Sequence, residues 1–140
     1  MVVCTYNRCD SLRQTLEALE RQEVDREQSV EIVVVDNGSR DRTKAVVETY
    51  GRESRWPVRY VYEAAPGKAH ALNRGFLEAE GEFVLCTDDD AQPTAGWTRA
   101  LHAAFIRWQA DCVFGRVRGL WEHEPPAWVR AVARQGFHGV

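Results

Sequence analysis

No continuous apolar stretch in this chain exceeds four residues, Ile32-Val33-Val34-Val35 among them. A transmembrane helix needs about 20 predominantly apolar residues, so none is expected. The opening Met1-Val2-Val3-Cys4-Thr5 lacks the basic and apolar regions of a secretory signal peptide. Cysteine is scarce, and Cys4, Cys9, Cys86 and Cys112 form no C-x-x-C pair. They read as reduced thiols of a cytoplasmic protein. Basic charge is not in excess either: 18 Lys and Arg stand against 21 Asp and Glu, a net charge of −3. That leaves no positive field for nucleic acid. No G-x-G-x-x-G follows the first strand pattern, which argues against a dinucleotide cofactor, and no G-x-S-x-G elbow marks an α/β-hydrolase. His70, His102, His123 and His138 have no zinc spacing with each other or with the cysteines.

What is present is a globular composition of 140 residues, 44% hydrophobic and 28% charged, which suits one domain. Strand and helix patterns alternate along it. Val2 to Thr5 is a short β-prone run. Asp10 or Ser11 can cap a helix whose apolar stripe is Leu12, Leu16 and Leu19. Val30 to Asp36 is the strongest strand, and its β-branched core predicts a parallel strand buried on both faces. Asp41 to Tyr50 reads as a helix, Val58 to Tyr62 as a strand, and Lys68 to Ala79 as a helix ended by Gly81. Glu82 to Thr87 is a strand. Pro93 and Thr94 start a helix whose face of Trp97, Leu101, Phe105 and Trp108 reads as core. Cys112 to Arg118 is expected to form a fifth strand, and a short helix is expected around Trp128 to Ala133.

Strands separated by helices mean βαβ units: an α/β fold with a mostly parallel sheet, helices on both faces and three layers. Ligands of such sheets sit at the carboxyl ends of the strands. The unusual polar chemistry lies just there. Asp88-Asp89-Asp90 follows an apolar strand, and continued strand geometry would point Asp88 and Asp90 to one side and Asp89 to the other. Such a pair of oxygen ligands suits Mg²⁺ or Mn²⁺; the plain alternative is a solvated acidic turn. Asp36, before Asn37-Gly38-Ser39, can accept hydrogen bonds from a nucleobase imide or a ribose hydroxyl, or can cap a helix. Thr5-Tyr6-Asn7-Arg8 offers a stacking face and polar donors. Lys68 and Asn73, on a helix that opens at Gly67, can face a diphosphate. Gly67-Lys68 is not a P-loop, because Ala69 follows the lysine and no glycine stands near enough upstream.

Together these places resemble glycosyltransferase family 2. The resemblance is carried by Val-Val-Cys-Thr5-Tyr6-Asn7-Arg8, by Ile-Val-Val-Val-Asp36-Asn-Gly-Ser, by Gly67-Lys68 through Asn73-Arg74-Gly75, and by Thr87-Asp88-Asp89-Asp90-Ala91. It covers residues 2 to about 118. It implies the Rossmann-like, nucleotide-binding half of a GT-A fold and an inverting transfer from a nucleotide-diphospho-sugar to an acceptor hydroxyl. Thr5, Tyr6 and Asn7 would hold the base and ribose and Asp36 would bond the base, with Arg8 and Asn37 among the residues that bind the nucleotide-sugar. Lys68 and Asn73 would lie near the base or diphosphate. Asp88 and Asp89 would face the donor, and Asp90 with Asp88 would bind Mg²⁺ or Mn²⁺. UDP-sugars are favoured by family habit.

The chain departs from the family after Asp90, where no acidic motif for a general base follows. Residues 1–118 are therefore read as the donor-binding region, and 119–140 as the start of the acceptor side, with the base expected beyond Val140. On this reading the chain is a cytoplasmic fragment, with a peripheral place at the inner face of a membrane left open. The acceptor (glycan, lipid or protein) stays unnamed. An apolar face around Trp121, Trp128 and Phe137 would favour self-association. Two other readings stand: a non-catalytic nucleotide-sugar binding module, and a sugar nucleotidyltransferase. The absence of glycine from Thr5-Tyr6-Asn7-Arg8-Cys9 counts against the second.

Overall fold

The computed structural model describes residues 1–121 and 123–134. Its elements run β1 (Val2–Thr5), α1 (Cys9–Glu20), β2 (Ile32–Asp36), α2 (Thr43–Glu53), β3 (Val58–Tyr62), α3 (Lys68–Glu78), β4 (Cys86–Asp88), α4 (Trp97–Trp108) and α5 (Ala127–Arg134). The four strands form one sheet in the order β3-β2-β1-β4, and every pairing is parallel. All four therefore end at the same edge. The register sets Thr5 beside Asp36, Asp36 beside Tyr62, and Cys4 beside Asp88.

Alternation along the strands makes the two faces. Val3, Ile32 and Val34 pack with Leu12, Leu16, Leu19 and Val47 of α1 and α2. Val2, Val33, Val35 and Val61 pack with Ala71 of α3 on the other face. This is the expected three-layer arrangement. Each fully buried Val, Leu or Ile contributes about 1.5–3 kcal/mol, so β2, buried at every position, anchors both layers. Gly75 lets α3 lie close on the sheet, since a methyl there would overlap the side chain of Val2 and crowd Val35.

Four expectations fail. The strand expected over Glu82 to Thr87 is shortened and shifted to Cys86–Asp88, the three residues that find ladder partners in β1. Residues 112–118 form no strand. A strand is made by its ladder partner, and none of the described residues pairs with this segment, which leaves Phe114 and Val117 exposed. The α4 stripe is core only in part: Trp97 packs on the first cluster and Phe105 meets Phe83 edge-on at 5.1 Å, but Trp108 in the last turn is exposed. Arg107 lies over its ring at 5.1 Å. The first helix starts at Cys9 and is not capped by Asp10 or Ser11.

All four cysteines are free. No helix among the described residues is long and apolar enough to cross a membrane. Trp121 and Trp128 are exposed. Glu122, Phe137 and His138 lie outside the described residues.

Candidate functional site

The four strand ends place the predicted residues along one edge of the sheet. Thr5 ends β1, Asp36 ends β2, Tyr62 ends β3 and Asp88 ends β4. Because ladder pairing stops there, each following backbone is free to turn, and three loops meet.

Asp36 is 2% exposed. A buried carboxylate is costly unless bonded, and this one accepts the backbone N–H of Ser39 at 2.8 Å and the phenol of Tyr60 at 2.7 Å. Burial, and then the bond to this carboxylate, pushes the Tyr60 phenol up from its ordinary value. The exposed Tyr6 stands beyond β1 and the exposed Tyr62 at the end of β3, on either side of Asp36 in the strand order.

The β1–α1 and β2–α2 loops are stitched together. Asn7, at φ +53°, accepts the N–H of Arg40 at 2.7 Å on its Oδ1, while its own N–H reaches Ser39 Oγ at 2.8 Å. Asp41 replaces the missing caps. It takes the N–H of Cys9 at the start of α1 at 3.0 Å, and the N–H of Thr43 at the start of α2 at 3.0 Å. Burial alone would raise its carboxyl, but the bonds from the Thr43 hydroxyl and from these two N–H groups outweigh that and hold it at about 2. A depressed acid stabilises the fold fully above its unfolded pKa, and the contribution is lost as pH falls from about 4 toward about 2. An amide at this position would offer one acceptor oxygen where the Asp41 carboxylate uses two, so Asp41→Asn should give up one of the two caps and lower the melting temperature at pH 7 by the equivalent of about 1 kcal/mol. The gap from wild type should close as pH falls through that window. A gap that stays constant in pH-resolved thermal melts would remove the carboxylate's charge from this account.

The acidic run does not continue as a strand. β4 ends at Asp88, and the chain turns so that the N–H of Ala91 meets Asp88 O at 3.3 Å. Two α1 hydroxyls hold the turn: Ser11 donates to Asp89 O at 2.9 Å and Thr15 to Ala91 O at 2.8 Å. Asp89 is thereby buried, accepting the Thr5 hydroxyl at 2.8 Å and Arg8 at 3.3 Å. The expected alternation is corrected accordingly: Arg8 spans Asp89 and Asp90, the latter at 2.6 Å. Lys68 pairs with Asp88, and this hydrogen bond raises its ammonium above the ordinary value. Beside Arg8 and Asp90 lies an open depression of about 400 Å³, which Asn7, Ser11 and Asp41 also line.

Asp88 and Asp90 are exposed oxygen donors, each already facing a cation of the chain. That chemistry fits a hard divalent ion which takes one or two carboxylates and fills its shell with water and phosphate. Among the described residues, no three His, Cys, Asp or Glu side chains are placed to hold a metal ion. Asn73 is exposed on α3 and is not hydrogen-bonded to the carboxylate cluster. Sequence reasoning missed Tyr60, Ser39, Asp41, Ser11 and Thr15. The last two were findable, being small hydroxyl residues at i and i+4 on α1.

Residues 1–130 match the family described as glycosyl transferase family 2. The chain is 30% identical over 130 residues to the succinoglycan biosynthesis protein ExoM of Rhizobium meliloti, covering 92% of this chain and 41% of ExoM. It therefore spans about two fifths of that relative. A crystal structure of Staphylococcus aureus TarS 1–349 in complex with UDP superposes with a TM-score of 0.75 at 26% identity, covering 89% of this chain and 37% of that one. The mannosyltransferase PcManGT of Pyrobaculum calidifontis, in complex with GDP-Man and Mn²⁺, gives 0.66 at 34% identity, covering 85% and 34%.

Proposed function

This chain belongs to glycosyl transferase family 2 and has the α/β architecture of GT-A glycosyltransferases, and from that premise we propose that it is the donor-binding part of a metal-dependent, inverting glycosyltransferase. The observation that supports this most is the convergence on one sheet edge of a buried acceptor, Asp36, two exposed tyrosines, the cation Lys68 and the Asp88–Asp90 turn. The proposed donor is a nucleotide-diphospho-sugar. TarS with UDP and PcManGT with GDP-Man support the class, and a UDP-sugar is our choice between them.

In this reading Tyr6 offers its ring to the base and Asp36 accepts from the base. Thr5, Asn7 and Asn37 hold the loops that frame them. Lys68 faces the diphosphate, and Asn73 stands further along the same helix. Asp88 and Asp90 would hold Mg²⁺ or Mn²⁺, with Asp89 and Arg8 fixing the turn between them. When bound, the cation neutralises the leaving diphosphate. The chain's own residues bind the nucleotide and orient the anomeric carbon toward an acceptor hydroxyl, whose oxygen displaces the nucleoside diphosphate with inversion while its proton passes to a general base that the donor region does not supply. Residues 1–118 make up this donor region and 119–140 lead toward the acceptor side. The exposed Trp121 and Trp128 support self-association through that end.

Calorimetric titration with UDP, GDP and dTDP, with and without Mn²⁺, tests the proposal. One nucleotide should bind in a metal-dependent way. Asp36→Ala should weaken it by roughly tenfold, the effect of losing a hydrogen bond to a charged group. A folded chain that binds none of the three would overturn the reading.

A further inference from the structure

The side chain of Asn37 is taken up by the chain itself, on the connection between β3 and α3. Its backbone N–H extends the β1–β2 ladder by one step, donating to Thr5 O at 3.0 Å. Its amide then crosses to the β3–α3 connection. One N–H donates to Glu63 O at 3.1 Å and the other to Ala65 O at 2.6 Å, while Oδ1 accepts the N–H of Gly67 at 2.7 Å. Both amide donors are thus used, and none is left for a ligand.

Within the segment, the Glu63 carboxylate accepts the N–H of Ala65 at 2.7 Å, but no side chain of residues 64–67 reaches across to β2. Ala64-Ala65-Pro66-Gly67 has no polar side chain. Gly67 stands at φ +124°, where L side chains rarely go, and it precedes α3 with no side-chain cap. The next residue is Lys68, whose ammonium lies on Asp88. The three side-chain hydrogen bonds of Asn37 therefore tie this segment, and with it the start of α3 and Lys68, to the end of β2.

We propose that Asn37 is a positioning residue: by bracing residues 63–67 from the end of β2, it places Lys68 to meet the diphosphate of a bound nucleotide. The inference rests on the donor-site reading above. It departs from the expectation that Asn37 touches the nucleotide itself.

The test is a double-mutant cycle on the whole 140-residue chain, titrated with UDP in the presence of Mn²⁺. Asn37→Ala and Lys68→Ala should each weaken binding by roughly five- to tenfold. The double variant should be no weaker than Lys68→Ala alone, because the brace acts through the lysine. Uridine, which has no diphosphate, should bind Asn37→Ala as it binds wild type in ligand-observed NMR. Losses that add, or an equal loss for uridine, would overturn the proposal.

Gly67→Ala, which strains the other end of the brace, should reproduce the pattern with Asn37 intact, and it carries the cycle if Asn37→Ala does not fold. A wild-type chain that binds no nucleotide sinks the donor-site reading and, with it, the role given to Lys68. The brace is then judged by amide exchange, which should rise in Asn37→Ala at residues 67–71 and not at β1 or β2. Unchanged exchange at those amides would remove the brace as well.

Discussion

Asp88→Asn and Asp90→Asn are each expected to abolish the Mn²⁺-dependent part of nucleotide binding while leaving the fold standing. Both carboxylates are more than half exposed, and each pairs with an exposed cation. Exposed pairs of this kind contribute only about 0–1 kcal/mol, so losing one costs the fold little. A cation held by two carboxylates loses half its protein ligands when one is neutralised. Changes even in the outer shell of metal sites cost about 10–100-fold in affinity, so at least that is expected here. Asp89 should behave in the opposite way. It is buried, and its loss would orphan the Thr5 hydroxyl and one contact of Arg8. Asp89→Ala should therefore cost about 1–3 kcal/mol of stability. Titration of Mn²⁺ and UDP, run beside thermal melts, separates the two roles. If Asp90→Asn bound UDP with unchanged metal dependence, the metal would have to be placed elsewhere.

The largest stability effect is expected from Gly75→Val. α3 approaches the sheet closely enough that even a methyl at Gly75 would overlap Val2, which is fully buried in β1 and cannot swing aside. Gly in a helix interior is worse than Ala by about 1 kcal/mol, so propensity alone would favour replacement. Overpacking a tight core costs about 1–3 kcal/mol and sometimes more, and a branched side chain brings the upper end into play. The expected net loss of about 2–3 kcal/mol would lower the melting temperature by roughly 10 °C. Gly96 is the control, because a Cβ there meets nothing within 4 Å. Gly96→Ala should change stability by no more than about 0.5 kcal/mol. Equal melting temperatures for the Gly75 variant and wild type would mean that α3 can lift off the sheet, and the placement of Lys68 would lose its support.

Most of the layered fold is legible in the amino-acid sequence. β3 has the expected bounds, and the Leu12, Leu16, Leu19 stripe is buried as its spacing predicts. Such features are local: the period of apolar residues is written in the chain and needs only a surface to bury against. The expected strand at 112–118 and the core role of Trp108 failed for the complementary reason. Both depend on a partner, and apolar content alone does not say whether one stands opposite.

The same division runs through the site. Residue spacing alone puts Asp36, Asp88 to Asp90, Lys68 and Tyr6 at the strand ends, because parallel βαβ units bring every such end to one edge; Tyr62 joins them only in the fold. What each side chain does there follows from contacts between distant segments. Asp89 turns inward because Ser11 and Thr15 of α1 hold the turn. Asp36 accepts the phenol of Tyr60 from the neighbouring strand, and Asp41 caps two helices at once. Asn37 spans to a loop 26 to 30 residues away in sequence. Each of these is a directed hydrogen bond between distant segments. Its geometry depends on register and helix packing, which residue spacing does not encode.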